Sequence, residues 1–156
     1  MLKMDIPGFG PLQLDKLVLD FNGTLAQDGA LLPGVAGILR RLAPLLELYV
    51  VTADTHGTCA HILAGLPVQL AVLGPGAEDQ AKLDHVRRLD PRTCAAVGNG
   101  RNDALMLAEC ALGVAVCQGE CAAAQALAAA DIVAPDILSA LGLFIKPKRL
   151  EASLRY

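Results

Sequence analysis

Tryptophan is absent from this 156-residue chain, and aromatic residues make up only 3% of it. A core of stacked rings is excluded, so the 54% of hydrophobic residues must pack as Leu, Ala, Val and Ile. Charge is also sparse, at 19% with a formal net of −3, which leaves no footprint for nucleic acid. The basic residues near the C-terminus, Lys146, Lys148, Arg149 and Arg155, read as a solvated helix face. The five cysteines (59, 94, 110, 117 and 121) form no CxxC pair and are odd in number, which argues against a zinc knuckle. Cys94, Cys110 and Cys117 stand in apolar stretches and read as small core residues of a reducing, cytoplasmic compartment. The start of the chain lacks the basic-then-apolar pattern of a signal peptide. The longest stretch free of Asp, Glu, Lys and Arg, residues 55–77, holds His, Gln, Pro and several Gly, so no membrane span is expected.

What is present is an alternation. Short apolar runs at 16–21, 48–51, 68–73, 94–97, 112–116 and 131–133 read as strands buried on both faces. Between them, 35–46, 58–64, 78–89, 104–110 and 121–129 carry helical periodicity or Ala-rich composition, and 135–144 and 147–155 read as terminal helices. Pro7-Gly8-Phe9-Gly10-Pro11 marks a small leading hairpin, and Asp28-Gly29 marks a second, flap-like one within 26–33. Strands alternating with helices predict an α/β fold, a parallel sheet with helices on both faces, as a single domain over residues 1–156.

In such a sheet the carboxyl ends of the strands at 16–21, 48–51 and 94–97 lie on one edge, where open α/β sheets bind ligands. That edge would present Asp20, Asn22, Thr24, Thr52, Asp54, Asn99, Asn102 and Asp103 together. Oxygen ligands of this kind suit a hard cation such as Mg²⁺, which binds through one or two carboxylates plus water and substrate phosphate. Turn amides around 22–24, the Thr hydroxyls and a lysine would complement a phosphoryl group.

The segment Asp20-Phe-Asn-Gly-Thr-Leu resembles the first motif of the haloacid dehalogenase (HAD) superfamily. Thr52 at its strand end resembles the second motif, Lys82 on the next helix the third, and Gly98-Asn-Gly-Arg-Asn-Asp103 the fourth. Within that superfamily the likeness is to small soluble proteins similar to the phosphorylation domain of P-type ATPases. The resemblance implies a three-layer α/β/α Rossmann-like core with a small β-hairpin flap and no cap domain. It also implies Mg²⁺-dependent phosphohydrolase chemistry on a small phosphorylated substrate. Asp20 would be the nucleophile that forms an aspartyl-phosphate. Thr52 would bond a phosphoryl oxygen, and Lys82 would neutralise charge on Asp20 and the phosphoryl group. Gly23, Thr24, Ala53, Asp54 and Asn102 would surround the substrate phosphate. Asp20, the backbone carbonyl of Asn22, and either Asn99 or Asp103 would hold the metal. A lysine on a helix is otherwise a solvated charge, and it is the place of Lys82 in the motif order that marks it as catalytic; Arg101 is either a phosphate contact or an exposed helix-start residue. His56, His61 and His85 read as surface residues, His56 with a chance of touching substrate from its place beside Asp54.

Two positions depart from the pattern. HAD phosphatases carry an acid–base Asp two residues after the nucleophile, where this chain has Asn22, and a metal-binding Asp where it has Asn99. Slow turnover follows, with preference for leaving groups that need no protonation. The alternative is a catalytically weak or inactive descendant, a phosphate- or nucleotide-binding regulatory module. The intervals between motifs are too short for a lid: 27 residues separate Thr24 from Thr52. An open site and an apolar surface shielded in a homo-oligomer are the expectation.

Overall fold

The computed structural model describes residues 1–54 and 57–156; the expectation for His56 lies outside them. Six short strands pair in parallel in the order β10-β9-β8-β3-β6-β7. They are β3 (Lys16–Asp20), β6 (Glu47–Thr52), β7 (Gln69–Val72), β8 (Cys94–Gly98), β9 (Leu112–Val116) and β10 (Ile132–Ala134). The three central strands are short apolar runs because both of their faces are covered: every residue of β8 and β9, and all of β3 after Lys16, is buried.

Alternate residues of each strand feed two separate cores. Leu17, Leu19, Leu48, Val50, Ala95, Val97, Leu112 and Val114 pack with α1 (Val35–Leu42), α2 (Thr58–Ile62) and α6 (Ile137–Ile145) on one face. Val18, Val51, Ala96 and Ala115 pack with α3 (Glu78–Arg88), α4 (Ala104–Glu109) and α5 (Ala124–Ala129) on the other. This is the three-layer α/β/α arrangement expected from the alternation. The spacing of Val35, Leu39 and Leu42 on α1 buries one stripe of that helix. On α3, acidic Glu78 and Asp79 in the first turn and His85, Arg87 and Arg88 in the last complement the helix dipole.

Two hairpins complete the chain. β1 (Leu2–Ile6) and β2 (Gly10–Leu14) pair antiparallel and send Ile6, Leu12 and Leu14 into the first core, beside Leu150 of α7 (Pro147–Leu154). β4 (Ala26–Gln27) and β5 (Ala30–Leu31) form the flap. Only the flap and α1 stand between β3 and β6, and only α2 and β7 between β6 and α3, so no cap covers the sheet edge among the described residues.

Three expectations change. The helix expected from 121 begins at Ala124, because Cys121 takes a left-handed φ of 62° and its N–H closes a turn on Gln118 O at 2.7 Å. Cys117 and Cys121 are exposed on that loop, so Cys117 is not a core residue, whereas Cys59, Cys94 and Cys110 are buried. His85 is half-buried rather than a surface residue, in edge-to-face contact with Tyr49 at 6.0 Å between ring centroids. Lys148 and Arg149 are exposed on α7, as expected. No helix among the described residues is long and apolar enough to cross a membrane.

Candidate active site

Strand β3 is the topological switch of the sheet, with the chain leaving it for β6 on one side and returning through β8 on the other. Its last residue, Asp20, therefore emerges at the mouth of a crevice between the β6 and β8 ends. The turn that follows is tight: Leu25 and Ala26 both donate N–H bonds back to Phe21 O, at 2.9 and 3.0 Å. Gly23 adopts a φ of 78°, and a Cβ there would come within 2.5 Å of Asn99 Nδ2 and 2.9 Å of Glu120 Oε2. Glycine is thus required both by backbone conformation and by what crowds against it.

The crevice is a cavity of about 490 Å³. The β3 end contributes Asp20 and Asn22, the β6 end Thr52, Ala53 and Asp54, and the β8 end Asn99, Gly100 and Asn102. Glu78 of α3 and Glu120 of the loop between β9 and α5 complete its walls. Seven of the expected site residues, Asp20, Asn22, Thr52, Ala53, Asp54, Asn99 and Asn102, are thereby brought to one cavity. Arg101 is exposed and lines a neighbouring groove with Glu78, Asp79 and Asn102 instead.

Behind the floor lies a charged cluster. Lys82 is fully buried, and its Nζ donates to Asp20 Oδ1 and to Asp103 Oδ1, each at 2.7 Å, with Glu78 Oε1 at 3.4 Å. Lys82 is therefore not a solvated helix charge. Asp103 is fully buried, and its second oxygen accepts the N–H groups of Asn99 and Gly100, at 3.0 and 2.8 Å. Asp103 approaches this closely because position 98 is glycine: a Cβ there would stand 2.5 Å from Asp103 Cγ. Thr24 is fully buried too, and its hydroxyl faces both Asp20 Oδ2 at 3.0 Å and Asn99 Oδ1 at 3.2 Å. Asp103 and Thr24 thus stand behind the cavity wall and orient the groups that face it. The amides of Gly23 and Thr24, expected to meet a phosphoryl group, instead bond Ala26 O and Phe21 O within the turn. Asp54 accepts the Cys59 N–H at 2.6 Å and so anchors the start of α2.

Electrostatics follow from that packing. Burial, reinforced by the negative charge of Asp103 and only partly opposed by Lys82, pushes the Asp20 carboxyl from its usual 3.8 up to about 7. Burial alone would lower the Lys82 pKa, but Asp20 and Asp103 override it and hold the ammonium above its usual range. One ammonium thus serves two carboxylates directly, with more carboxylate in the walls, so the site carries surplus negative charge. A divalent cation suits that surplus, and the oxygen-bearing residues Asp20, Asn22 and Asn99 that line the cavity offer donors of the kind a hard cation takes. Among the described residues no group of three or more His, Cys, Asp or Glu is gathered as a metal cluster, so carbonyl or amide oxygens would have to share any coordination.

The fold agrees with solved structures. The chain superposes on the 3-deoxy-D-manno-octulosonate 8-phosphate phosphatase of Moraxella catarrhalis, a complex with magnesium ion, phosphate ion and the sugar acid. Identity is 15% over 90% of each chain, with a TM-score of 0.72. The chain has the haloacid dehalogenase fold. The cobalt-bound Haemophilus influenzae enzyme of the same name gives the same TM-score of 0.72 at 14% identity, over 90% of this chain and 92% of that one. A zinc-transporting PIB-type ATPase in its E2.Pi state matches at 25% identity with a TM-score of 0.61, over 80% of this chain but only 20% of the transporter. No family model matches the sequence. An uncharacterized protein of Methanocaldococcus jannaschii is 37% identical over 84 residues, 51% of this chain and 90% of that protein, and the chain belongs to one family with it.

The sequence pattern does not single out Glu78, Glu120 or Gln118. A signal for the loop residues existed: the strand at 112–116 ends on the same sheet edge, and Gln118-Gly119-Glu120 follows it as the other motifs follow theirs. Gln118 Nε2 donates to Gly23 O and Thr24 O at 3.0 and 2.8 Å, and its Oε1 accepts the Ile137 N–H at 2.8 Å. The loop after β9 is thus part of the site's frame.

Proposed function

We propose that the chain is a Mg²⁺-dependent phosphohydrolase that works through an aspartyl-phosphate on Asp20. The observation that carries this reading is Lys82: a fully buried ammonium bridging two carboxylates, one of which ends at an open polar cavity. A buried ion cluster of this kind is poor value for stability, since well-packed apolar residues of the same volume serve the fold as well or better. Its use is to favour the ionised form of that carboxylate against burial and to aim it at incoming phosphorus.

In the first step an Asp20 oxygen attacks phosphorus, and the bond to the leaving-group oxygen breaks, with the electron pair leaving on that oxygen. In the second, water attacks the same phosphorus, the Asp20–phosphorus bond breaks, and inorganic phosphate departs. The Thr52 hydroxyl, the Ala53 backbone and Asn102 contact the phosphoryl oxygens. Lys82 offsets charge on Asp20, while Asp103 and Thr24 hold Lys82, Asp20 and Asn99 in place. Asp20, the Asn22 carbonyl and the Asn99 side-chain oxygen would hold Mg²⁺; Asp103, fully engaged with Lys82 and two amides, acts from behind. When bound, the cation supplies charge that offsets repulsion between the carboxylate and the substrate phosphate.

Asn22 donates no proton at neutral pH, so both steps lack the general acid–base help that is worth about 10²–10⁴ in rate. Acyl phosphates, anhydrides and aryl phosphates are therefore the favoured substrates. The phosphatase and ATPase names of the structural neighbours support a small phosphorylated substrate of this kind. Asn22 also supports a second reading, a phosphate-binding regulatory module of the same fold. The two separate by experiment: p-nitrophenyl phosphate hydrolysis with and without Mg²⁺ is expected in the wild type and lost by at least about 10³-fold in Asp20→Asn, by analogy with nucleophile removal elsewhere. Full activity in Asp20→Asn rejects the mechanism. Binding of beryllium fluoride with Mg²⁺ but no turnover supports the module.

A further inference from the structure

Glu120 is the one carboxylate in the cavity wall without a hydrogen bond or ion pair among the described residues. Asp20 is held by Lys82 and Thr24, Asp54 by the Cys59 amide, and Glu78 lies against Lys82. Its position is nonetheless set from both sides. Two residues before it, Gln118 clamps the carbonyls of Gly23 and Thr24; directly after it, Cys121 O accepts Asn99 Nδ2 at 3.1 Å, and Ala123 N–H bonds Asn99 O at 2.9 Å. The carboxylate is thereby brought to the same spot as the Asn99 amide. Glu120 Oε2 and Asn99 Oδ1 each lie 2.9 Å from the point a Gly23 Cβ would occupy, a space that only glycine leaves open.

The amide at position 99 has a structural reason. Its Nδ2 must donate to Cys121 O, which a carboxylate could not do, while its Oδ1 turns toward Thr24. Asn99 therefore anchors the loop at the cost of contributing no negative charge to the cavity, and the loop it anchors carries one. We propose that Glu120 is a cation ligand of this site, supplying the carboxylate that Asn99 does not, alongside Asp20 and the carbonyl of Asn22. The inference rests on the metal-dependent reading above. It makes the segment 118–121 a fourth ligand-bearing strand end, and it makes Gln118 a positioning residue for that ligand.

Mg²⁺ alone, titrated into the full-length protein by calorimetry, with Mn²⁺ spin-resonance titration as a second readout, tests this without reference to turnover. Wild type is expected to bind, Glu120→Gln to bind at least about tenfold more weakly, and Glu120→Asp to fall between. The gap between wild type and Glu120→Gln should persist in about 0.5 M KCl, where a charge acting only at a distance is screened. Equal affinity of wild type and Glu120→Gln, or a gap that closes in high salt, overturns the assignment of Glu120 while leaving Asp20 chemistry intact. A wild-type protein that binds neither ion overturns the metal-dependent reading itself, and this assignment with it.

Discussion

Asp20 and Asn22 face one cavity from positions two residues apart, yet only the first can change its charge near neutrality. Replacing Asn22 with Asp would restore a proton donor at the point from which a leaving group departs. The expected outcome is a gain of about 10²-fold or more in kcat for alkyl phosphates and a much smaller gain for p-nitrophenyl phosphate, whose leaving group needs no proton. Equal gains on both substrates would contradict the account of the slow step. Asp20 itself predicts a pH effect on stability. Its folded-state pKa of about 7 lies above the usual 3.8, so between those values the folded protein binds more protons than the unfolded chain. Stability from this group is therefore lost as pH rises through that window. Melting temperature measured without divalent cation should fall from pH 5 to pH 8, recover on adding Mg²⁺, and lose that component of its pH dependence in Asp20→Asn. The sign follows from burial and from Asp103, two causes that Lys82 only partly cancels.

Each motif is a strand end plus the first residues of the turn or helix beyond it, and the quality of the site depends on how those ends are tied together. The loop after β9 is the tie. Through Gln118 it holds the turn after β3 and the start of α6 at once, and through Cys121 and Ala123 it holds Asn99 after β8. Truncation in Gln118→Ala leaves two carbonyls and one amide without their partner, at a cost of about 1–3 kcal/mol for unmet groups of this kind. The melting temperature should drop by several degrees, and Mg²⁺ affinity should fall as the loop loosens. A variant with wild-type melting and wild-type affinity would show that the tie is dispensable. Strand β8 shows the complementary device: Gly98 removes a side chain so that Asp103 can fold back under the strand end and reach Lys82.

For the molecule as a whole, no cap covers the cavity among the described residues, and its surplus of carboxylate would repel phosphate in the absence of a bound cation. The two edge strands of the sheet expose apolar side chains, Val72 on β7 at 55% and Val133 on β10 at 54%. Edge strands left uncovered are routes to association, and a homo-oligomer that buries them is the state expected in solution. Size-exclusion chromatography with light scattering checks this, and a monomer across the micromolar range would reject it.

Apolar runs of period-independent burial were enough to identify six strands and their order of appearance, because a strand covered on both faces has no room for polar residues. Composition likewise dictated a core without Trp, and motif spacing brought Asp20, Thr52 and Asn99 to one edge. Local pattern carries that information because it depends on neighbours along the chain. Which oxygen faces the cavity is a different matter. Motif order marked Lys82 but not its burial, which comes from packing of α3 against the sheet, and Asp103 and Thr24, expected among the cavity residues, turn their oxygens inward. Glu120 and Gln118 gave no periodic signal, since an irregular loop has none; Gln118 is placed by contacts 94 or 95 residues away along the chain. The strand end at 112–116 points to this edge, but only the folded chain brings the Glu120 carboxylate beside Asn99.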